Sequence, residues 1–186
     1  PFPSDAFLVE DASTDTGFRV NIPSGIIPAS GSTDPVEIPR INQLDGMSTA
    51  TQIMTTFDTV PDLASVAYQY NIERSLELDH PTIIWNVDDN HAVAHWVELD
   101  ARAQPGEQTI LHLRTAAALE HDTRYVIVIH GLTDSMGDEI QPSQALQALL
   151  DGEITDAEDV ESRRPAYNEY IAAAENHMGV NKNDIQ

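Results

Sequence analysis

Residues 123–137 have the sequence TRYVIVIHGLTDSMG, and this stretch decides the fold class. From Tyr125 to Ile129 every residue is β-branched or aromatic, a composition that favours a strand. Gly131 and the polar residues around Gly137 then indicate tight turns, with Gly137 expected at positive φ. The stretch therefore predicts the strongest strand of the chain, followed by a sharp reversal.

Four segments before this strand also have strand patterns: residues 52–57, 82–87, 92–99 and 108–114. The second of them, TIIWNV, is followed by a polar turn at residues 88–90. Residues 92–99 alternate, with Val93, His95, Val97 and Leu99 on one face, and we expect a hairpin with the preceding strand. Short strands at intervals of about ten residues predict a mainly β fold, an Ig-like antiparallel β-sandwich.

The two ends of the chain depart from this pattern, so three segments are expected. Residues 1–46 predict an irregular Pro-rich N-terminal arm that packs on the core and contains one short edge strand. Residues 47–141 form the sandwich. Residues 142–186 change to a helical period and predict short helices. A first helix is expected over residues 143–150. A capping box of Thr155 and Glu158 predicts the start of a second helix, which should break or kink at Pro165 and end at Gly179.

The excess of acidic over basic residues limits the kinds of molecule that the chain can bind. Asp and Glu number 31 against 9 basic residues, for a net charge of −22. A surface this negative repels phosphate backbones and anionic head groups, so we expect no nucleic-acid binding. No apolar run approaches the roughly 20 residues of a membrane helix, and we expect no membrane insertion. There is no Cys, which excludes disulfides and thiolate chemistry.

Sequence motifs of catalysis are missing. The chain has no G-x-S-x-G nucleophile elbow, no phosphate-binding loop, no dinucleotide fingerprint and no H-E-x-x-H. We therefore predict no catalytic residue and no cofactor-binding residue in these 186 residues.

Two groups of side chains have the composition of a metal site. Asp134 and Asp138 flank a glycine turn and would suit calcium, although a tight turn explains the same residues. Asp88, Asp89 and His91 form the second group, with turn and strand positions as the alternative reading. His91 and His95 would lie about 13 Å apart along one strand, too far to share one ion.

Five phrases, taken in order, resemble those of a known family. They are residues 1–7 (PFPSDAF), 14–21 (TDTGFRVN), 41–48 (INQLDGMS) and 123–137, and the helix that begins at residues 163–164. Together they resemble the N-terminal domains of bacterial extracellular lipases of the virulence-factor type and of related lipoproteins. Residues 123–137 are similar to a hairpin of S-layer-type bacterial Ig-like domains.

This resemblance implies an extracytoplasmic protein, whether secreted, periplasmic or a cell-surface lipoprotein. Such relatives often carry an α/β-hydrolase domain further along the chain, and they continue past the equivalent of residues 181–186 into another strand. None of their catalytic residues maps onto this sequence. Because the sequence begins at Pro1, we expect a processed or trimmed product.

Besides a metal-binding module built on the two groups of candidate ligands above, three functions remain open at this point. The first is a non-catalytic structural or recognition module of a larger secreted or surface-anchored bacterial protein, with other domains of the same polypeptide as its partners. The second is the N-terminal segment of an extracellular esterase or lipase, lining or capping the cleft of a downstream catalytic domain. The third is a self-assembling surface protein in which the N-terminal arm adds a strand to a neighbour.

Overall fold

A computed structural model describes residues 1–24, 37–102 and 108–186. Within these ranges the chain forms eight strands and four α-helices, with a π-helical turn and three short 3-10 turns. The strands are β1 (Leu8–Glu10), β2 (Phe18–Val20), β3 (Ile53–Thr56), β4 (Thr82–Asn86), β5 (His91–Ala92), β6 (His95–Leu99), β7 (Ile110–Thr115) and β8 (Tyr125–Ile129). The helices are α1 (Ile38–Ile41), α2 (Gln144–Asp151), α3 (Glu158–Glu161) and α4 (Arg164–Ala173), and α4 continues into the π turn Ala174–Met178. The 3-10 turns are Asp5–Phe7, Ile72–Leu76 and Lys182–Asp184.

The strands form three antiparallel sheets. A first sheet has the order β3-β7-β6, a second sheet has the order β5-β4-β8, and β1 pairs with β2 alone. The prediction of a mainly β, antiparallel fold with few helices is therefore confirmed, and the strands expected over residues 52–57, 82–87, 108–114 and 125–129 are present.

The hairpin expected between residues 82–87 and 92–99 is present only at its start, and the prediction is wrong for residues 95–99. Only His91 and Ala92 pair with β4. The chain then leaves the second sheet, and β6 pairs with β7 from His95 to Leu99. The alternation within β6 suits this position, because the first sheet has one face on the core and one face outward.

Each face of the second sheet belongs to a different apolar cluster. The first core takes side chains from both three-stranded sheets: Ile53, Val66, Ile84, Val97, Leu111, Leu113, Ile129, Leu132 and Ile140. The second core lies on the other face, where the C-terminal helix and the residues after it cover the sheet. Its members are Ile83, Trp85, Val126, Val128, Ala174, Met178 and Val180.

The C-terminal helices follow the sequence signals in part. The Ser143 side chain accepts from the N–H of Leu146 and caps α2, and Gly179 ends the π turn at φ 69°. The capping box is wrong, because the Thr155 N–H and hydroxyl both donate to Glu161 at 2.8 and 2.9 Å rather than to Glu158. The Arg164 guanidinium beside Glu161 is the main cause that lowers the pKa of this carboxyl to about 2.

The described part of the N-terminal arm hydrogen-bonds to strand β3 and to the C-terminal helical region around α4. It contains two short strands, β1 and β2, where one was expected. Phe2 exchanges two backbone hydrogen bonds with Met54 of β3, at 2.8 and 2.7 Å. Asp5 accepts from Tyr170 at 2.6 Å and from Arg163 at 3.4 Å. Residues 25–36, which the sequence also assigned to the arm, lie outside the described residues.

Candidate functional site

A cluster of buried histidine, threonine and serine side chains lies where three segments meet. His80 immediately precedes Pro81 and β4, Thr82 begins β4, and His95 begins β6. Ser75 comes from the 3-10 turn Ile72–Leu76. All four side chains are buried, and the two imidazole rings stand edge to face with centroids 5.6 Å apart.

The hydrogen bonds assign the proton positions of both rings. His80 Nδ1 lies 2.7 Å from the carbonyl oxygen of Thr82, and its Nε2 accepts from the N–H of Ala67 at 2.7 Å. His95 Nδ1 lies 2.9 Å from the carbonyl oxygen of Val93. Because a carbonyl can only accept, Nδ1 carries the proton in both rings. The Thr82 hydroxyl then donates to His95 Nε2 at 2.8 Å.

Both rings are neutral at pH 7. Burial lowers the pKa of His95 to about 4, and burial also lowers the pKa of His80, since a low-dielectric interior disfavours the charged imidazolium. His130 follows β8 and forms an isolated antiparallel β-bridge with Ile185. Burial likewise lowers the pKa of His130. His130 Nε2 is buried without a hydrogen-bond partner among the described residues.

The cluster lacks the connections of a nucleophile–base relay. The Ser75 hydroxyl donates to the carbonyl of Ile72 at 2.7 Å and accepts from the backbone N–H of His95 at 2.9 Å, so neither imidazole activates it. Within the described ranges no carboxylate hydrogen-bonds to His80 or His95. The arrangement instead joins the Ala67 loop, β4 and β6 through satisfied buried hydrogen bonds.

The first group of metal candidates, Asp134 and Asp138, lies in one turn. Asp134 is buried, and its Oδ1 accepts from the N–H of Met136 at 2.8 Å and from the N–H of Asp138 at 3.0 Å. Gly137 has a φ of 88°, as a glycine turn requires. The Asp134 carboxylate therefore shapes the turn, while Asp138 is exposed.

The second group follows β4. Asp88 accepts from the N–H of Arg124 at 3.0 Å, and the N–H of Asp89 donates to Asn86 at 2.9 Å. His91 is exposed in β5, whereas His95 is buried and belongs to the other sheet, so the two are not brought together. Within residues 1–24, 37–102 and 108–186 no group of three or more ionisable ligands could hold a metal ion. Calcium binding stays a prediction.

Two surface depressions are lined by polar and apolar residues. One, of about 260 Å³, lies between α2 and α4 beside Glu175 and Lys182. The other, of about 320 Å³, lies on the outward face of the first sheet beside Trp96 and Arg114. Both are at or below the small end of the range for ligand pockets, and neither includes a histidine of the buried cluster.

Sequence reasoning missed the cluster because the hydrogen bonds that join its segments link residues 13 or more positions apart along the chain and form only through the strand arrangement. One signal was available: His80 and Thr82 flank Pro81 at the entry of a strand whose next three residues are apolar. Polar side chains at that position need buried partners.

Comparisons of this chain with protein-family models, with curated proteins and with solved structures give no match. Among the described helices none is long and apolar enough to cross a membrane.

Proposed function

We propose that this chain is a non-catalytic structural or recognition module of a larger secreted or surface-anchored bacterial protein. The observation that supports it most is the buried histidine cluster. Its most reactive side chains, those of His80, His95 and Ser75, form hydrogen bonds with backbone N–H and C=O groups and so hold backbone segments together. A catalytic base needs an accessible nitrogen aimed at a substrate, and neither ring offers one.

We further propose that the two three-stranded sheets are an Ig-like β-sandwich with an N-terminal arm. Three features support this assignment: the sheets are antiparallel, both contribute to the first core, and the chain passes from one sheet to the other between β5 and β6. The proposed division into residues 1–46, 47–141 and 142–186 has the arm bonding to β3 and α4. The exported location rests on the sequence resemblance.

One experiment tests the module assignment. The protein is isolated from its native source after cell fractionation, and its intact mass is measured. A mass well above 20.4 kDa in a secreted or surface fraction is the expected result. A 20.4 kDa protein in the cytoplasm would overturn both parts of the proposal.

A second experiment tests the absence of catalysis. The purified chain is assayed with p-nitrophenyl esters of short and medium acyl length, beside the variants Ser75→Ala and His91→Gln. We expect no hydrolysis above the rate in buffer for any of the three. Turnover that is lost in Ser75→Ala and kept in the exposed-histidine variant would show that the buried cluster is a catalytic site.

A further inference from the structure

Among the described residues, none pairs with the outer edge of β8 at Tyr125 and Ile127. The N–H of Val87 donates to the carbonyl of Arg124, so alternate residues from Arg124 onward bond to β4. Tyr125 and Ile127 therefore direct their backbone N–H and C=O groups away from β4. No described residue hydrogen-bonds to these outward backbone groups.

This edge also lacks the usual protection against pairing. The strand has no charged residue, no proline and no bulge, although edge strands are commonly blunted by one of these. The side chains of Tyr125 and Ile127 pack against the first core and remain half-buried. Ile84, the partner of Ile127 in register, is fully buried. The first core is thus incompletely covered along this edge.

The last two residues of the chain already begin a strand on this edge. Ile185 pairs antiparallel with His130, and the N–H of Gln186 donates to the carbonyl of Ile129 at 2.9 Å. The Gln186 side chain is buried and exchanges two hydrogen bonds with the backbone of Leu132, at 2.8 and 2.9 Å. These contacts fix a direction and a register along β8.

We propose that the free edge of β8 is a docking site for one extended polypeptide strand. The strand runs antiparallel to β8 in the register that Ile185 and Gln186 begin. It exchanges backbone hydrogen bonds with Ile127 and then with Tyr125, as in recognition by strand addition. It is apolar at these two positions, where its side chains complete the first core, and it is neutral or basic.

The charge of the protein argues for such a strand rather than for a second copy of this chain. Two copies would each carry a net charge of −22, and like charges disfavour their approach. In addition, the N–H of Gln186 already donates to the outward carbonyl of Ile129. If the β8 edges of two copies paired with each other, only the outward backbone groups of Tyr125 and Ile127 would therefore be available on each edge.

The test adds a probe strand at the place where the register predicts it. The chain is extended after Gln186 by Thr-Val-Thr-Val-Thr, whose valines fall opposite Ile127 and Tyr125. The matched control is Thr-Pro-Thr-Pro-Thr, which removes the two N–H donors at the same length. We expect the valine tail to raise the Tm by several degrees over the control. Amide exchange at Tyr125 and Ile127 should slow at least about tenfold.

The charge preference is tested with the tails Lys-Val-Lys-Val-Lys and Glu-Val-Glu-Val-Glu. The lysine tail should raise the Tm more at low salt, and the gap should close at about 1 M salt. Equal Tm values for the valine and proline tails would overturn the docking site, and equal values for the lysine and glutamate tails would overturn its charge preference. Concentration-dependent dimers of the unextended chain, with slowed exchange at Ile127, would assign the edge to a second copy instead.

Discussion

The two three-stranded sheets share one core but differ in how many of their faces are covered. The first sheet, β3-β7-β6, has its inward residues in the first core, while Trp96, Glu98 and Arg114 lie on its outward face. The second sheet, β5-β4-β8, is covered by the first core on one face and by the C-terminal helix on the other. Alternating sequences suit the first arrangement, and continuous apolar sequences such as those of β4 and β8 suit the second.

This difference shows how stability is distributed. A sheet that is buried on both faces loses packing wherever it is truncated, whereas a half-covered sheet tolerates changes on its outward face. In the described residues the second sheet also has an unpaired edge at Tyr125 and Ile127 of β8, so its stability depends strongly on the C-terminal helix that covers its other face. The following changes separate the two sheets.

The largest effect is expected from Ile84→Ala in the centre of the second sheet. Ile84 is completely buried between the sheets, so we expect a loss of about 4 kcal/mol in the free energy of unfolding, through lost transfer energy and a residual cavity. The control is Ile110→Ala, half-buried at the start of β7, with an expected loss of about 1 kcal/mol. Urea unfolding measures both, and equal losses would contradict the comparison.

The helix-covered face is tested next with a matched pair of methionines. Met178 is buried in the second core, and we expect Met178→Ala to cost about 3 kcal/mol. Met54 is half-buried in β3 of the first sheet, and we expect Met54→Ala to lower the free energy of unfolding by about 1 kcal/mol. If Met54→Ala cost as much as Met178→Ala, the outward face of the first sheet would also be covered in solution.

The pH dependence tests the buried histidines that join the two sheets. The folded protein holds the pKa of His95 at about 4 instead of 6.5, so the unfolded chain binds a proton first as the pH falls. The stabilising effect of a neutral His95 is therefore complete above pH 6.5 and is lost progressively toward pH 4. From pH 7.5 to 4.5 the loss amounts to roughly 2 to 3 kcal/mol.

Urea unfolding of the protein and of His95→Gln at both pH values isolates this contribution. The difference in unfolding free energy between the two proteins should narrow in acid by roughly 2 to 3 kcal/mol, because the variant lacks the group whose pKa is lowered. The exposed His91→Gln is the control and should follow the unmodified protein at both pH values. A gap that stays constant with pH would mean that His95 is not held neutral by burial.

Local sequence patterns predicted most strands but not their partners. The composition of β8 and the alternation of β6 gave the correct elements and the correct inward face. The partner of β6 was wrong because the chain changes sheet at Val93 and Ala94, where no glycine or proline marks the crossing. Pairing is decided by what each face must cover, which a single strand does not encode.

The site was less predictable than the fold. The link from Thr82 to His95 depends on β4 and β6 lying in different sheets, and therefore on the topology that the sequence reading missed. Thr155 shows the same limit at short range. Its spacing to Glu158 fits a capping box, but Glu161, held by Arg164, takes the hydrogen bonds instead.

The smallest effect is expected on the outward face of the first sheet, where Arg114 pairs with Glu98. Both side chains are about one-third exposed, so we expect Arg114→Met to cost only about 0.5 kcal/mol beyond the effect of the lost positive charge. That charge effect is measured with Arg40→Met, whose pair with Glu37 is far more exposed.

The difference between Arg114→Met and Arg40→Met should vanish at about 1 M salt, because screening removes the contribution of a solvated pair. A difference of several kcal/mol that persists in salt would show that Arg114 and Glu98 are desolvated. Removing one partner would then leave a buried charge. In that case the outward face of the first sheet is an interface, and the contrast between the two sheets holds only for the isolated chain.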